Sequence, residues 1–184
     1  VLCYQNEWVR ANGFGSYIEN AWVNFRLSDK LSVTAGKQDA AWGGFEYDEY
    51  AYKIYDYSDM NEWMDCYFTG IGISYEPAET QELCLQVTNG NDNRRKSPSF
   101  YNIGWNSSYL DELLSLRYSV TAGQQAKGEW MWMMWAGQQV ESGKFLGYFD
   151  VMYTRGKSDP VGILAEQFEP EDEENGAWIA NTGN

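Results

Sequence analysis

Histidine is absent from all 184 residues. Without it neither a Ser-His-Asp nor a Cys-His nucleophile can be assembled, and no cysteine stands in a nucleophile context. The three cysteines, Cys3, Cys66 and Cys84, follow no metal or redox spacing, so they read as isolated thiols, a single disulfide being the other option. Basic residues are scarce: 13 Lys and Arg stand against 27 Asp and Glu, a formal net charge of -14. That balance argues against a nucleic-acid partner, because phosphate contacts need clustered Lys and Arg. Nor does any run approach the roughly 18 to 20 apolar residues of a transmembrane helix. This last absence leaves a closed β-barrel open, since a barrel also satisfies every backbone group in lipid. The opening VLCYQNEWVR lacks the charged and apolar regions of a signal peptide. It already has strand character, as expected of a mature chain or a piece of one.

What is present is hydrophobic enough, at 43%, for one domain with a real core, and it is rich in aromatics (17%) and glycine (18 residues). Period-two alternation runs through most of it, and helical spacing is nearly missing. In AWVNFRLSD, Ala21, Val23, Phe25 and Leu27 share one face, and Trp22, Asn24 and Arg26 the other. LSVTAGKQ, YFTGIGISYE, ELCLQVTNG, FYNIGWNSSY and LLSLRYSVTAG alternate in the same way, each with one apolar and one small or polar face. WMWMMWAGQQV and KFLGYFDVMYT follow. With the opening segment, about nine strands are expected.

Tight links fall at 28–30, 77–81, 110–112 and 141–144, where Asp, Pro, Ser and Gly favour turns. Longer ones are expected at 41–65, 91–99, 125–129 and from 157 to the end. This short–long rhythm suggests a sheet trimmed at one end and elaborated at the other, as in transmembrane barrels. No Pro/Ser linker divides the chain, so 1–184 is expected to be a single β-barrel domain or a fragment of one, with long outer loops at 41–65, 91–99 and 157–184.

Alternation alone does not say which face meets water. A secreted β-sandwich that binds glycans through exposed Trp and Tyr would bury the apolar face, and an outer-membrane barrel would turn it to lipid. Three features favour the barrel. Aromatics gather near strand ends, at Tyr17, Trp42, Tyr67, Tyr75, Tyr101, Tyr109, Trp130 and Tyr153, as an interfacial girdle would. The polar face carries Gly, Ser, Asn and Thr with few charges. The strand segments run about 9 to 11 residues, long enough for a tilted bilayer crossing.

GKQDAAWGGFEYD (36–48) and YDYSDMNEWMD (55–65) resemble outer-membrane porins of the phosphate-selective porin O and P family, most closely its Bacteroidota branch. ENAWVNFRLSDKLSVTAGKQ, NIGWNSSYLDELLSLRYSV, QQAKGEWMWMMWAGQQ and GYFDVMYTRG extend the resemblance over nearly all of the chain. It implies an antiparallel transmembrane β-barrel of about sixteen strands, often trimeric, passing small solutes by passive diffusion. It also implies residence in the bacterial outer membrane, contact with membrane lipid and lipopolysaccharide, a homotrimer or larger outer-membrane complex, and no cofactor. Nine strands are too few to close such a barrel, so part of the wall is expected to lie outside this chain. The Arg and Lys ladder of the namesake proteins is thin here, which puts phosphate selectivity in doubt.

By strand parity Asn24, Arg26, Glu82, Arg117 and Asp150 fall on the polar face and are expected to line a lumen, with Lys37 joining them if a bulge turns it inward. The acidic, tyrosine-rich segment 41–65 holds Glu46, Asp48, Glu49, Asp56 and Asp59. It is either a structured external loop or a constriction loop folded into the pore. A catalytic carboxylate pair is the remaining option. EPEDEENG (169–176) offers oxygen ligands without EF-hand spacing, and NDNRRKSP (91–98) clusters three cations that would suit lipopolysaccharide phosphates; each also fits a plain solvated loop. The expected function is a water-filled channel for small hydrophilic solutes or ions and not an enzyme. A non-conducting barrel subunit of an outer-membrane assembly stays open beside it. GEWMWMMWAGQQ (128–139) poses a separate problem, being apolar on both faces. If one face meets lipid, something must cover the other.

Overall fold

A computed structural model describes Ile18, Ser58 and residues 20–48, 67–89, 99–126, 129–156 and 177–183. They form nine strands in one antiparallel sheet: β1 (Ala21–Ser28), β2 (Leu31–Asp39), β3 (Tyr67–Ala78), β4 (Gln81–Asn89), β5 (Ser99–Tyr109), β6 (Leu114–Ala126), β7 (Glu129–Ser142), β8 (Phe145–Gly156) and β9 (Ala177–Gly183). Their order in the sheet is their order in the chain, a pure meander with β1 and β9 at its open edges. This is the topology that short, uncrossed connections produce.

Four of the expected turns are present, and each links strands at the same end of the sheet. Among them, Leu110, Asp111 and Glu112 all take left-handed φ values of 57°, 55° and 68°, and Gly143 takes 63°. The opposite end differs from expectation in two places. The link at 125–129 shrinks to 127–128, because β6 and β7 extend into it. The tail expected as a loop over 157–184 contains β9, which pairs with β8 from Thr154↔Ala177 to Tyr148↔Gly183. The opening segment expected as a strand lies outside the described residues, so the ninth strand is this one.

Register keeps the two faces apart over the whole sheet. Phe25, Val33, Ile73, Leu85, Ile103, Val120, Met134 and Tyr153 are successive cross-strand partners. A second row runs Leu31, Tyr75, Leu83, Trp105, Tyr118, Ala136 and Val151. Most of these apolar side chains are exposed: Ile103 by 61%, Phe25 by 55%, Leu85 by 47%. So large a contiguous apolar surface is not one that a soluble monomer leaves to water. It is the surface that an outer-membrane barrel turns to lipid.

On the other face the rows are small or polar. One is Asn24, Thr34, Gly72, Gln86, Asn102, Thr121, Met133 and Thr154; its neighbour is Glu82, Asn106, Arg117, Gly137 and Asp150. Among the described residues, the buried apolar cluster lies on this side. Ala40, Trp42, Phe68, Phe100, Met131, Met133, Trp135 and Met152 form one buried cluster. Half of β7 therefore packs on this side: Met131 and Met133 are fully buried, while Trp130, Trp132 and Met134 are exposed on the opposite face.

Candidate functional site

The polar face is covered by the chain that leaves β2. Residues 38–48 turn back over the sheet and touch β3, β4, β5, β6, β7 and β8 in turn. Five strand spacings of about 4.8 Å need roughly 24 Å. The eight steps from Gln38 to Glu46, where the segment meets Asp150 on β8, reach about 26 Å when extended, just enough for the crossing. We call it the strap.

Its first anchors are amides. Gln38 Nε2 donates to Gly70 O on β3 at 3.1 Å. Gln86 on β4 reads the strap backbone twice, accepting from Ala41 N and donating to Asp39 O, both at 2.8 Å. Asn102 Nδ2 on β5 donates to Ala41 O at 2.6 Å. Its Oδ1 accepts from Thr121 Oγ1 on β6, also at 2.6 Å, which fixes the amide orientation. Paired in this way, the strap's backbone groups lose little by leaving water.

Trp42 is the apolar anchor. Its ring meets Phe68 at 4.9 Å and Phe100 at 5.3 Å, and those two rings are 5.4 Å apart. All three pairs are edge-to-face, an arrangement that adds about 0.5–1.5 kcal/mol per pair beyond burial. Expected as a girdle residue, Trp42 is instead 3% exposed beneath the strap. A strand-end tryptophan and a strap tryptophan look alike in sequence.

Beyond Trp42 the contacts become ionic. Arg117 on β6 donates through Nη1 to Gly44 O at 3.0 Å and through Nη2 to Asp48 Oδ2 at 2.6 Å, and its guanidinium lies 4.9 Å from the Phe45 ring centre. Asp150 on β8, fully buried, accepts from Glu46 N at 3.1 Å. Glycines make this close approach possible. A β-carbon on Gly137 would sit 2.6 Å from Asp150 Oδ1 and 3.1 Å from Phe45, and one on Gly44 would collide with the Asp150 carboxyl group. The strap ends in a short 3-10 turn, Glu46–Asp48. The buried Glu46 carboxylate then takes hydrogen bonds from both the backbone N and the Oγ of Ser58.

Of the residues expected on the polar face, Glu82, Arg117 and Asp150 stand in one cross-strand row. Glu82 accepts from neutral donors, Ser74 Oγ at 2.6 Å and Asn106 Nδ2 at 3.0 Å. Asn24 Nδ2 donates to Thr34 Oγ1 at 2.8 Å, and Arg26 is exposed on the edge strand β1. Lys37 does not join them. It pairs with Ala21 and Thr69 in unbroken register, no bulge intervenes, and its Nζ donates to Ile18 O at 2.7 Å. It therefore falls on the face of Val33 and Ala35.

Of the loop acids, Glu46 and Asp48 belong to the strap; Glu49, Asp56 and Asp59 lie outside the described residues, as do Tyr17, Cys3, Cys66 and the segments 91–98 and 169–176. Among the aromatics, Tyr75, Tyr101, Tyr109 and Trp130 are exposed, and Tyr67 and Tyr153 are half-buried. Tyr101 and Trp130 pair at 6.2 Å, and Trp105 stacks on Tyr118 at 5.7 Å. The anchors Gln38, Gln86, Asn102 and Thr121 were not singled out by sequence. Their one signal was long amides on a face otherwise built from Gly, Ser and Thr.

Between strap and sheet a cavity of about 460 Å3 remains, lined by Asp39, Asp48, Cys84, Asn106, Arg117 and Ser119 among others. No group of three or more acidic or thiol ligands suited to a metal ion occurs among the described residues. The arrangement offers fixed charges beside an open space.

A family model described as phosphate-selective porin O and P matches residues 5–103. No curated protein matches the chain, and no solved structure does.

Proposed function

The chain belongs to the phosphate-selective porin O and P family, whose members are outer-membrane channel proteins, and from that premise we propose that it forms part of the wall of a water-filled pore narrowed by the strap. The sheet supplies part of the wall of a single barrel domain, and small hydrophilic solutes diffuse along its polar face. The observation that carries this is the docked strap. Segment 38–48 crosses the face opposite the apolar rows and is held there by backbone and side-chain groups of six strands. A wall inside a barrel needs this layering, with lipid outside, backbone paired within the sheet and polar groups inward. Expected partners are membrane lipid, lipopolysaccharide and further copies of the chain in a trimer or larger outer-membrane complex.

The same strap also favours a second reading, a plugged barrel serving as a non-conducting subunit. Planar-bilayer recording of the full-length protein separates the two: stepwise conductance supports the pore, and a silent bilayer supports the plugged subunit. Cys84 lines the cavity and is half-buried, so it gives a local probe. In a Cys3→Ser, Cys66→Ser background, a positively charged thiol reagent should lower conductance, and Cys84→Ser should abolish that block.

A further inference from the structure

The charges that face the cavity point to a preference that the family's description does not name. We infer that the polar wall of this chain is a path for cations, with Arg117 spent on holding the strap and not available to an anion; this rests on the pore reading above. Anion selection needs cations that present free N–H groups to the passing solute. The guanidinium of Arg117 is taken on three sides, by Gly44 O at 3.0 Å, Asp48 at 2.6 Å and the Phe45 ring at 4.9 Å. Its charge is balanced by Asp48, whose side chain stays 59% exposed.

What remains along the cavity and the row beside it is acidic. With Asp48 paired to Arg117, Asp39 is left lining the cavity, and Glu82, next in the cross-strand row to Asn106 and Arg117, is held by neutral hydroxyl and amide donors. Lys37, the other basic side chain expected inward, sits on the apolar face. Arg26 is exposed on β1 and is not among the residues that line the cavity. A confined passage lined by one sign of charge concentrates the opposite ion.

The test is reversal potential in a potassium chloride gradient across a planar bilayer holding the full-length protein, repeated with inorganic phosphate added. The expected result is a potassium-to-chloride permeability ratio above one, falling about two-fold in Glu82→Gln and in Asp48→Asn, the effect of one unit charge roughly 10 Å from the ion in water. Millimolar phosphate should leave the chloride current unchanged. A ratio below one, or a phosphate block relieved by Arg117→Gln, would overturn the inference while leaving the pore standing. A silent bilayer would instead remove the pore, and the inference with it.

Discussion

Strand β7 presents two faces of nearly equal hydrophobicity to different surroundings. Met131, Met133 and Trp135 are buried in the cluster that receives Trp42, and Trp130, Trp132 and Met134 stand exposed beside Tyr101 and Tyr153. Composition does not distinguish these faces. What does is a segment that leaves the sheet some 90 residues earlier and returns to cover one of them. An apolar residue in a barrel strand can thus be written for lipid or for a protein lid, and only the lid's own residues tell which.

Breaking the covered face should cost most. Trp42→Ala removes the ring that holds Phe68 and Phe100 together, and a loss of about 3–5 kcal/mol is expected. Urea unfolding from lipid vesicles would measure it, and single-channel conductance should rise as the strap loosens; an unchanged midpoint would show that the strap contributes nothing to the fold. On the open face the diagnostic change is Met134→Arg. Facing lipid near mid-depth it should cost about 2–4 kcal/mol. Facing water, Met134→Arg would cost nearly nothing, so the same unfolding experiment decides what that face meets. The smallest effect is expected from Gly137→Ala, at about 1–3 kcal/mol. The added methyl group presses on Asp150 and Phe45, so the ionic end of the strap should lift while the Trp42 end stays docked. Reduced near-UV tryptophan ellipticity in Gly137→Ala would contradict that division.

Much of the sheet is legible in the sequence, because alternation survives in β1 through β6 and antiparallel register carries parity from one strand to the next. Ile71, Ile73 and Tyr75 against Gly70, Gly72 and Ser74 is enough to orient β3. The strap was not legible in the same way. Its direction is set by partners 32 residues away at Gly70, 61 at Asn102, 73 at Arg117 and 104 at Asp150, and no local pattern encodes them. Sequence alone therefore leaves the segment open between an external loop and an inward one, and gives Trp42 the look of a girdle residue. Lys37 would turn inward only at a bulge, and plain alternation holds there instead. The final strand is hidden because the acidic run before it reads as loop to the end of the chain.

Those separations also bear on how the molecule is assembled. A meander can grow by adding one neighbour at a time, each closing a modest loop. The strap's seat does not exist until β3 through β8 stand side by side, and its most distant bond, Glu46 N to Asp150, spans 104 residues. Contacts of such long range carry the highest closure entropy and form late. Docking of the strap thus requires six strands already standing in register.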